Sequence, residues 1–131
     1  MQNVNTQNTP MNSGLKLSNY GSEPVKDATL YRSIVGALQH ATITRLELSF
    51  SVNKVCRYMQ TPLQAYWTAI KRILMYSTGT LDYGLHLKLA PDYSLEAFCG
   101  ANWASNPDHR RSTSEHCIYF GGNLVAWKSQ K

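Results

Sequence analysis

The spacing of apolar residues changes once along this chain, at Gly79, and the change limits the folds that the chain can adopt. Before Gly79, apolar residues recur every three to four positions, which predicts amphipathic helices. After Gly79 they alternate with polar residues, which predicts β-strands. Helices and strands that occupy separate blocks of a sequence are typical of an α+β fold and not of an alternating α/β domain. We therefore expect a helical unit followed by an antiparallel strand meander.

Three helices are predicted in the first block, over about 30–41, over about 47–59 and from Thr61 to Gly79. Asp27 or Thr29 caps the first helix, because a short side-chain oxygen accepts a hydrogen bond from a free amide of the first turn. Thr61 caps the third helix with Pro62 in its first turn, and Gly79 ends it. The expected apolar stripes are Leu30, Ile34, Leu38 and Ala41; Leu48, Val52, Val55, Cys56 and Met59; and Leu63, Tyr66, Trp67, Ile70, Ile73 and Leu74.

The second block predicts a meander with a glycine-rich hairpin. Strands are expected over 83–89, 95–99, 116–120 and 124–127, with a polar loop over 102–114 between the second and the third. Gly121 and Gly122 connect the last two strands, which is a strong hairpin signal. A sheet of so few strands must bury its apolar face, here expected to carry Ile118, Phe120 and Trp127. The sequence therefore looks truncated within this second unit.

Composition excludes several classes of protein. Of the 131 residues, 43% are hydrophobic and 16% charged, which is typical of a folded chain, although the polar first 28 residues read as a flexible tail or linker. No apolar run approaches the roughly 18 residues of a membrane span, and no secretory signal begins the chain. Three cysteines fit a reducing compartment better than a disulfide scaffold. Localisation within the cell is left open.

Positive charge is concentrated in the middle of the chain. Residues 31–88 carry seven lysines and arginines against Glu47 and Asp82. Such a segment suits a polyanion such as nucleic acid, and it equally suits a solvated helix face that has no partner. No histidine or cysteine spacing is typical of zinc, and Asp92 and Asp108 lie in turn-like segments, so we expect no metal site in this chain.

Several stretches of sequence resemble, in order, one family of mobile-element proteins. They are 9–11 (TPM), 31–39 (YRSIVGALQ), 44–45 (TR), 50–53 (FSVN), 66–74 (YWTAIKRIL), 79–85 (GTLDYGL), 103–104 (WA), 107–108 (PD), 110–114 (RRSTS) and 122–124 (GNL). Together they resemble the copia-type retrotransposon Pol polyprotein, from the end of the reverse transcriptase to the start of ribonuclease H.

The resemblance implies a domain organisation and a parent activity. Residues 1–28 would be a flexible tail, 29–89 a helical segment like the reverse transcriptase thumb and connection, and 90–131 an incomplete ribonuclease H-like domain with its first three strands. The parent would synthesise DNA on RNA templates and hydrolyse the RNA of RNA–DNA hybrids, with magnesium as cofactor. The polymerase motif Tyr-x-Asp-Asp is absent from this sequence, so we expect no DNA synthesis by this chain.

Ribonuclease H chemistry needs clustered carboxylates, because two metal ions must be held close together. Family members supply the first of them from Asp-Ala-Asp-Trp-Ala, where this chain has Gly100, Ala101, Asn102, Trp103 and Ala104. Gly100 and Asn102 thus occupy the family's Asp positions. We expect no catalytic residue, no cofactor and no RNA cleavage in this chain.

The resemblance also places part of the positive charge on helices that grip the template–primer duplex in the family. The corresponding residues are Arg45, Lys54, Arg57, Lys71 and Arg72. Contacts from them would go to phosphates of an RNA–DNA hybrid or duplex and weaken with salt. Three alternatives stay open: an inactive polyprotein fragment, a basic protein that binds nucleic acid or the remainder of the polyprotein, and a product that does not accumulate because its meander aggregates.

Overall fold

The computed structural model describes residues 5–104 and 107–130, so residues 105 and 106 of the predicted polar loop lie outside the described residues. The chain divides into two compact units, Met1–Tyr83 and Gly84–Lys131. The elements in chain order are α1 (Ala28–Ala41), a 3₁₀ turn (Leu46–Leu48), α2 (Ser49–Cys56), α3 (Gln64–Gly79), β1 (Leu95–Asn102), β2 (Thr113–Phe120) and β3 (Asn123–Gln130). Helices thus precede strands, which confirms the mixed α+β class.

Helix α1 begins as its sequence predicts but buries Tyr31 in place of Leu30. The Asp27 carboxylate accepts a hydrogen bond from the Leu30 amide at 2.9 Å, which confirms the cap. Of the predicted stripe, Leu38 is buried and Ile34 packs against the core, whereas Leu30 is wrong, because its side chain is 47% exposed while Tyr31 is fully buried. The Tyr31 hydroxyl donates to the Val55 carbonyl at 3.0 Å, and this bond allows a polar aromatic residue to occupy the core. The buried side chains of α1 are Tyr31, Val35 and Leu38.

The predicted second helix is shorter and in two pieces, since α2 ends at Cys56 after a separate 3₁₀ turn. The predicted start of the third helix at Thr61 is wrong. Helix α3 begins at Gln64, after the extended residue Leu63, and the Ser22 hydroxyl accepts a hydrogen bond from the Ala65 amide of its first turn at 3.2 Å. An antiparallel bridge joins Pro24 to Leu63, and the Val25 amide donates to the Pro62 carbonyl at 2.9 Å. This pairing holds 62–63 away from helical geometry.

The core of the helical unit includes residues from outside the helices. Tyr58 and Tyr66 stack at its centre with ring centroids 4.2 Å apart. Met11 and Leu17, from the N-terminal segment, are buried in the same cluster. The buried hydrophobic residues are Met11, Leu17, Tyr31, Val35, Leu38, Leu48, Val52, Val55, Tyr58, Leu63, Tyr66, Ala69, Ile70, Ile73 and Tyr76. No helix of the described residues is long and apolar enough to cross a membrane.

The alternation over 83–89 does not produce the expected strand. Residues 83–90 are neither helix nor strand, and Leu89 is completely exposed. Alternation alone does not make a strand stable, because a strand needs a neighbour for its hydrogen bonds and an apolar surface for its side chains. Within the described residues, β1 pairs with β2 alone.

The sheet is an antiparallel meander in the order β1-β2-β3. Its last two strands are joined by Gly121 and Gly122, whose φ angles of 55° and 79° confirm the glycine-dependent hairpin. The expected single apolar face is wrong. Trp127 pairs with Cys117 and shares its face, whereas Phe120, which pairs with Leu95, is three positions from Cys117 on β2 and lies on the other face. Neighbouring residues of a strand point to opposite faces, so apolar side chains lie on both. All eight residues of β1 are exposed.

Candidate nucleic-acid interface

Arg45, the first of the predicted phosphate-binding residues, is bonded within the helical unit. Its Nε lies 2.6 Å from Glu47 Oε1, and its Nη2 donates to Thr80 Oγ1 at 2.6 Å. Its guanidinium carbon lies 5.9 Å from the centre of the Tyr83 ring. The Arg45 side chain is only 12% exposed. These contacts join the chain before α2 to the end of α3.

Lys54 on α2 is bonded to the N-terminal segment. Its Nζ donates to the Leu15 carbonyl and lies 5.5 Å from the centre of the Phe50 ring. Burial lowers the pKa of Lys54, and the neighbouring positive charge of Arg57 lowers it further. The ammonium group is therefore hydrogen-bonded to a neutral carbonyl oxygen and is repelled by the charge of Arg57.

Arg72 on α3 also binds the N-terminal segment. Its Nη1 donates to Gln7 Oε1 at 2.9 Å, and its Nη2 donates to Thr9 Oγ1 at 2.8 Å. Both acceptors are neutral side-chain oxygens. The guanidinium fork is thus occupied by two residues that lie more than sixty positions earlier in the chain.

The other two predicted residues differ in position and exposure. Arg57 follows α2 directly, and its amide donates to the Val55 carbonyl as the helix cap. Lys71 is exposed on α3, with its Nζ 6.0 Å from the centre of the Trp67 ring. The five cations therefore do not form one open surface, and their binding to phosphate stays a prediction.

Sequence reasoning missed the hydrogen-bond partners of these cations, and those of Lys54 and Arg72 lie in the N-terminal segment. Beyond Gln7, Thr9 and Leu15, the carbonyl of Leu17 accepts from the Tyr58 hydroxyl at 2.7 Å, and that of Ser18 accepts from Tyr66. The segment is polar and without period, and its backbone carbonyls carry no sequence signal. Its few apolar residues are the hint that it packs against the helices, since Met11 and Leu17 are buried in the core and Leu15 is partly buried against it.

The sheet places Gly100 and Asn102, which the resemblance predicts to occupy Asp positions, on the same face of β1. Gly100 pairs with Glu115 and Asn102 pairs with Thr113, so the four residues share one face. A Cβ atom at Gly100 would have no neighbour within 4 Å, so the fold leaves room for a side chain there. Glu115 Oε1 accepts a hydrogen bond from Ser129 Oγ at 3.2 Å.

Elsewhere on the sheet unit, the carboxylate of Asp92 forms a local turn. Its Oδ1 accepts from the Ser94 hydroxyl at 2.8 Å and from the Ser94 amide at 3.2 Å, and these bonds lower the pKa of Asp92. In residues 5–104 and 107–130, no three His, Cys, Asp or Glu side chains come together as a metal site would require.

Comparison with known proteins identifies the family. No family profile and no solved structure matches the chain. Over 123 residues, 94% of the chain, it is 40% identical to the retrovirus-related Pol polyprotein from transposon RE2 of Arabidopsis thaliana. It is 39% identical over 123 residues to the corresponding polyprotein from transposon RE1 of the same plant. An uncharacterized mitochondrial protein of Arabidopsis thaliana is 37% identical over 125 residues, which are 93% of this chain and 52% of that protein.

The share of each relative that is covered differs widely. The chain spans 8% of the length of each of the two transposon polyproteins. The matched region nevertheless includes almost all of this chain, from the helical unit through the sheet. The chain therefore belongs to the copia-type retrotransposon Pol polyprotein family.

Proposed function

We propose that this chain is a catalytically inactive portion of a retrotransposon Pol polyprotein. Its residues 29–89 correspond to the thumb and connection of a reverse transcriptase, and its residues 90–131 to the beginning of a ribonuclease H domain. The observation that carries the proposal is the pair Gly100 and Asn102 on β1, where a metal-dependent nuclease of this family has carboxylates. The parent polyprotein would make DNA from RNA and remove the RNA strand with magnesium.

The residues present on that face do not fit magnesium. Gly100 has no ligand atom and Asn102 is neutral, whereas Mg²⁺ is bound in proteins chiefly by carboxylate oxygens. Glu115 is the one carboxylate directly opposite, and Glu96 lies four residues along β1, about 13 Å from Gly100. A two-metal site needs its ions about 4 Å apart, which two such distant carboxylates do not provide. No step of hydrolysis is therefore assigned to this chain.

A cleavage assay with restored carboxylates tests this proposal. The wild-type chain is incubated with Mg²⁺ and a fluorescent RNA–DNA hybrid, and we expect no cleavage above a buffer control. The double variant Gly100→Asp/Asn102→Asp is expected to bind Mn²⁺ more tightly than the wild type, with Gly100→Ala as the control for filling the position. Sustained cleavage by the wild-type chain that a chelator abolishes would show that the proposal is wrong.

A second candidate function is binding of nucleic acid without catalysis. Lys71 favours it, because this cation is exposed on α3 and is accessible to a phosphate. The excess of basic residues over 31–88 adds a long-range attraction for polyanions. Fluorescence anisotropy with a labelled hybrid tests it: we expect salt-sensitive binding that Lys71→Ala weakens, and absence of binding at low salt contradicts it.

A further inference from the structure

We propose that residues 7–18, here called the strap, occupy cations of the helical unit that would otherwise bind phosphate, so that a polyanion must displace the strap to bind fully. The proposal rests on the second candidate function, binding of nucleic acid, and adds its regulation. It concerns two of the predicted contact residues, Lys54 and Arg72, and the segment that bonds to both.

The strap follows α3 in the opposite direction. Just before it, Thr6 lies beside Gly79 at the end of α3, where a Cβ atom on the glycine would come within 2.8 Å of Thr6. Gln7 then binds Arg72 in the middle of α3, and Ser18 binds Tyr66 near its start. One continuous segment therefore contacts α3 at its end, in its middle and near its start.

The strap presents neutral oxygens to groups that bind anions more strongly. Arg72 donates through two different nitrogens to Gln7 and Thr9, an arrangement that two oxygens of one phosphate reproduce. Hydrogen bonds in which one partner is ionised are shorter and about twice as strong as those between neutral groups. The bonds of Arg72 to the strap are already of this kind, and a phosphate adds the attraction of an opposite charge. Exchange of the strap oxygens for phosphate oxygens therefore favours the polyanion once it is close.

The surroundings of Lys54 also favour a phosphate over the strap. Its ammonium group lies near Arg57, and that positive charge together with burial lowers the pKa of Lys54. A backbone carbonyl of Leu15 solvates this cation without neutralising it. A phosphate placed there would offset the repulsion between the two cations, which the strap does not do.

The two halves of the strap are held differently, which determines the half that leaves first. Gln7 and Thr9 make polar contacts near the surface, whereas Leu17 is 2% exposed within the core. Water can replace the polar contacts at little cost, whereas extraction of Leu17 exposes a buried apolar side chain to water. Displacement therefore begins at 7–9 and exposes Arg72 before Lys54.

The double variant Gln7→Ala/Thr9→Val tests the proposal without touching the core. It removes both acceptors of Arg72, and Asn8→Ala, an exposed residue between them, is the matched control. We expect tighter binding of an RNA–DNA hybrid by the double variant than by the wild type. One added phosphate contact increases the slope of log affinity against log salt concentration by about one. The factor by which affinity falls between about 50 and 200 mM salt therefore becomes about fourfold larger. Adding Arg72→Gln to the double variant should cancel the gain in affinity. The proposal is overturned if the double variant binds no more tightly than the wild type, or if its gain survives Arg72→Gln.

Trypsin provides a second readout on the wild-type chain. Lys16 lies in the strap and Lys26 outside it, and both are exposed. If the hybrid displaces the strap, cleavage after Lys16 accelerates several-fold while cleavage after Lys26 is unchanged. Binding of the hybrid with unchanged or slower cleavage after Lys16 overturns the strap proposal and leaves nucleic-acid binding intact. Absence of binding by both the wild type and the double variant overturns both.

Discussion

Replacement of Arg45 by alanine should destabilise the helical unit. The substitution removes an ion pair to Glu47 and a charge-assisted hydrogen bond to Thr80, each 2.6 Å long. Glu47 is 33% exposed and regains water, and Thr80 keeps its hydrogen bond to the Tyr76 carbonyl at 2.8 Å. We therefore expect Arg45→Ala to lower the free energy of unfolding by about 2–4 kcal/mol, which is less than the loss of a fully buried pair would cost. For a unit of this size, the melting temperature should fall by at least about 8 °C.

Circular dichroism at the helical minimum reports this loss, because all three helices lie in the unit that contains Arg45. Lys71→Ala is the matched control: it removes an exposed cation of the same unit and should change the free energy of unfolding by less than about 0.5 kcal/mol. An Arg45→Ala variant as stable as the wild type would refute the reasoning. Lost hybrid affinity at unchanged stability would assign Arg45 to phosphate binding instead.

Three further predictions concern the core of the same unit. Tyr31→Phe should cost about 1 kcal/mol in urea unfolding, because the Val55 carbonyl keeps backbone donors when the hydroxyl is lost. Burial raises the pKa of Cys56 from 9.0 to about 11. The native state therefore keeps a proton that the unfolded chain releases, so the free energy of unfolding should fall as pH rises from 9 to 11, and Cys56→Ala should flatten that dependence. Leu17→Ala should cost about 2–4 kcal/mol, measured by urea unfolding, whereas a flexible segment would give no change.

Local signals in the sequence predicted the local parts of the fold. The Asp27 cap and the glycine hairpin were predictable because each is decided within a few residues. The burial of Tyr31 in place of Leu30 was not, because both side chains are apolar enough for a core, and the choice depends on a carbonyl of α2. The alternation over 83–89 failed for the same reason, since a strand depends on a neighbour elsewhere in the chain.

The candidate site was predictable only as a set of charges. Sequence and resemblance identified Arg45, Lys54 and Arg72, but not their bonding partners. Those partners are neutral oxygens of the N-terminal segment and the side chains of Glu47 and Thr80, and their pairing depends on tertiary structure. By contrast, Gly100 and Asn102 needed no structure to be noticed, because the prediction about them compares residue types in the sequence alone.

The long reach of the strap has a consequence for folding during synthesis. Gln7 and Arg72 are separated by 65 positions, so the N-terminal residues leave the ribosome well before their partners exist. At about 5–20 residues per second, the wait is roughly 3–13 seconds. The hairpin of β2 and β3, by contrast, pairs residues 3 to 16 positions apart and closes in microseconds once both strands are made. Residues 7–9 therefore wait longer for their native partners than the residues of this hairpin do.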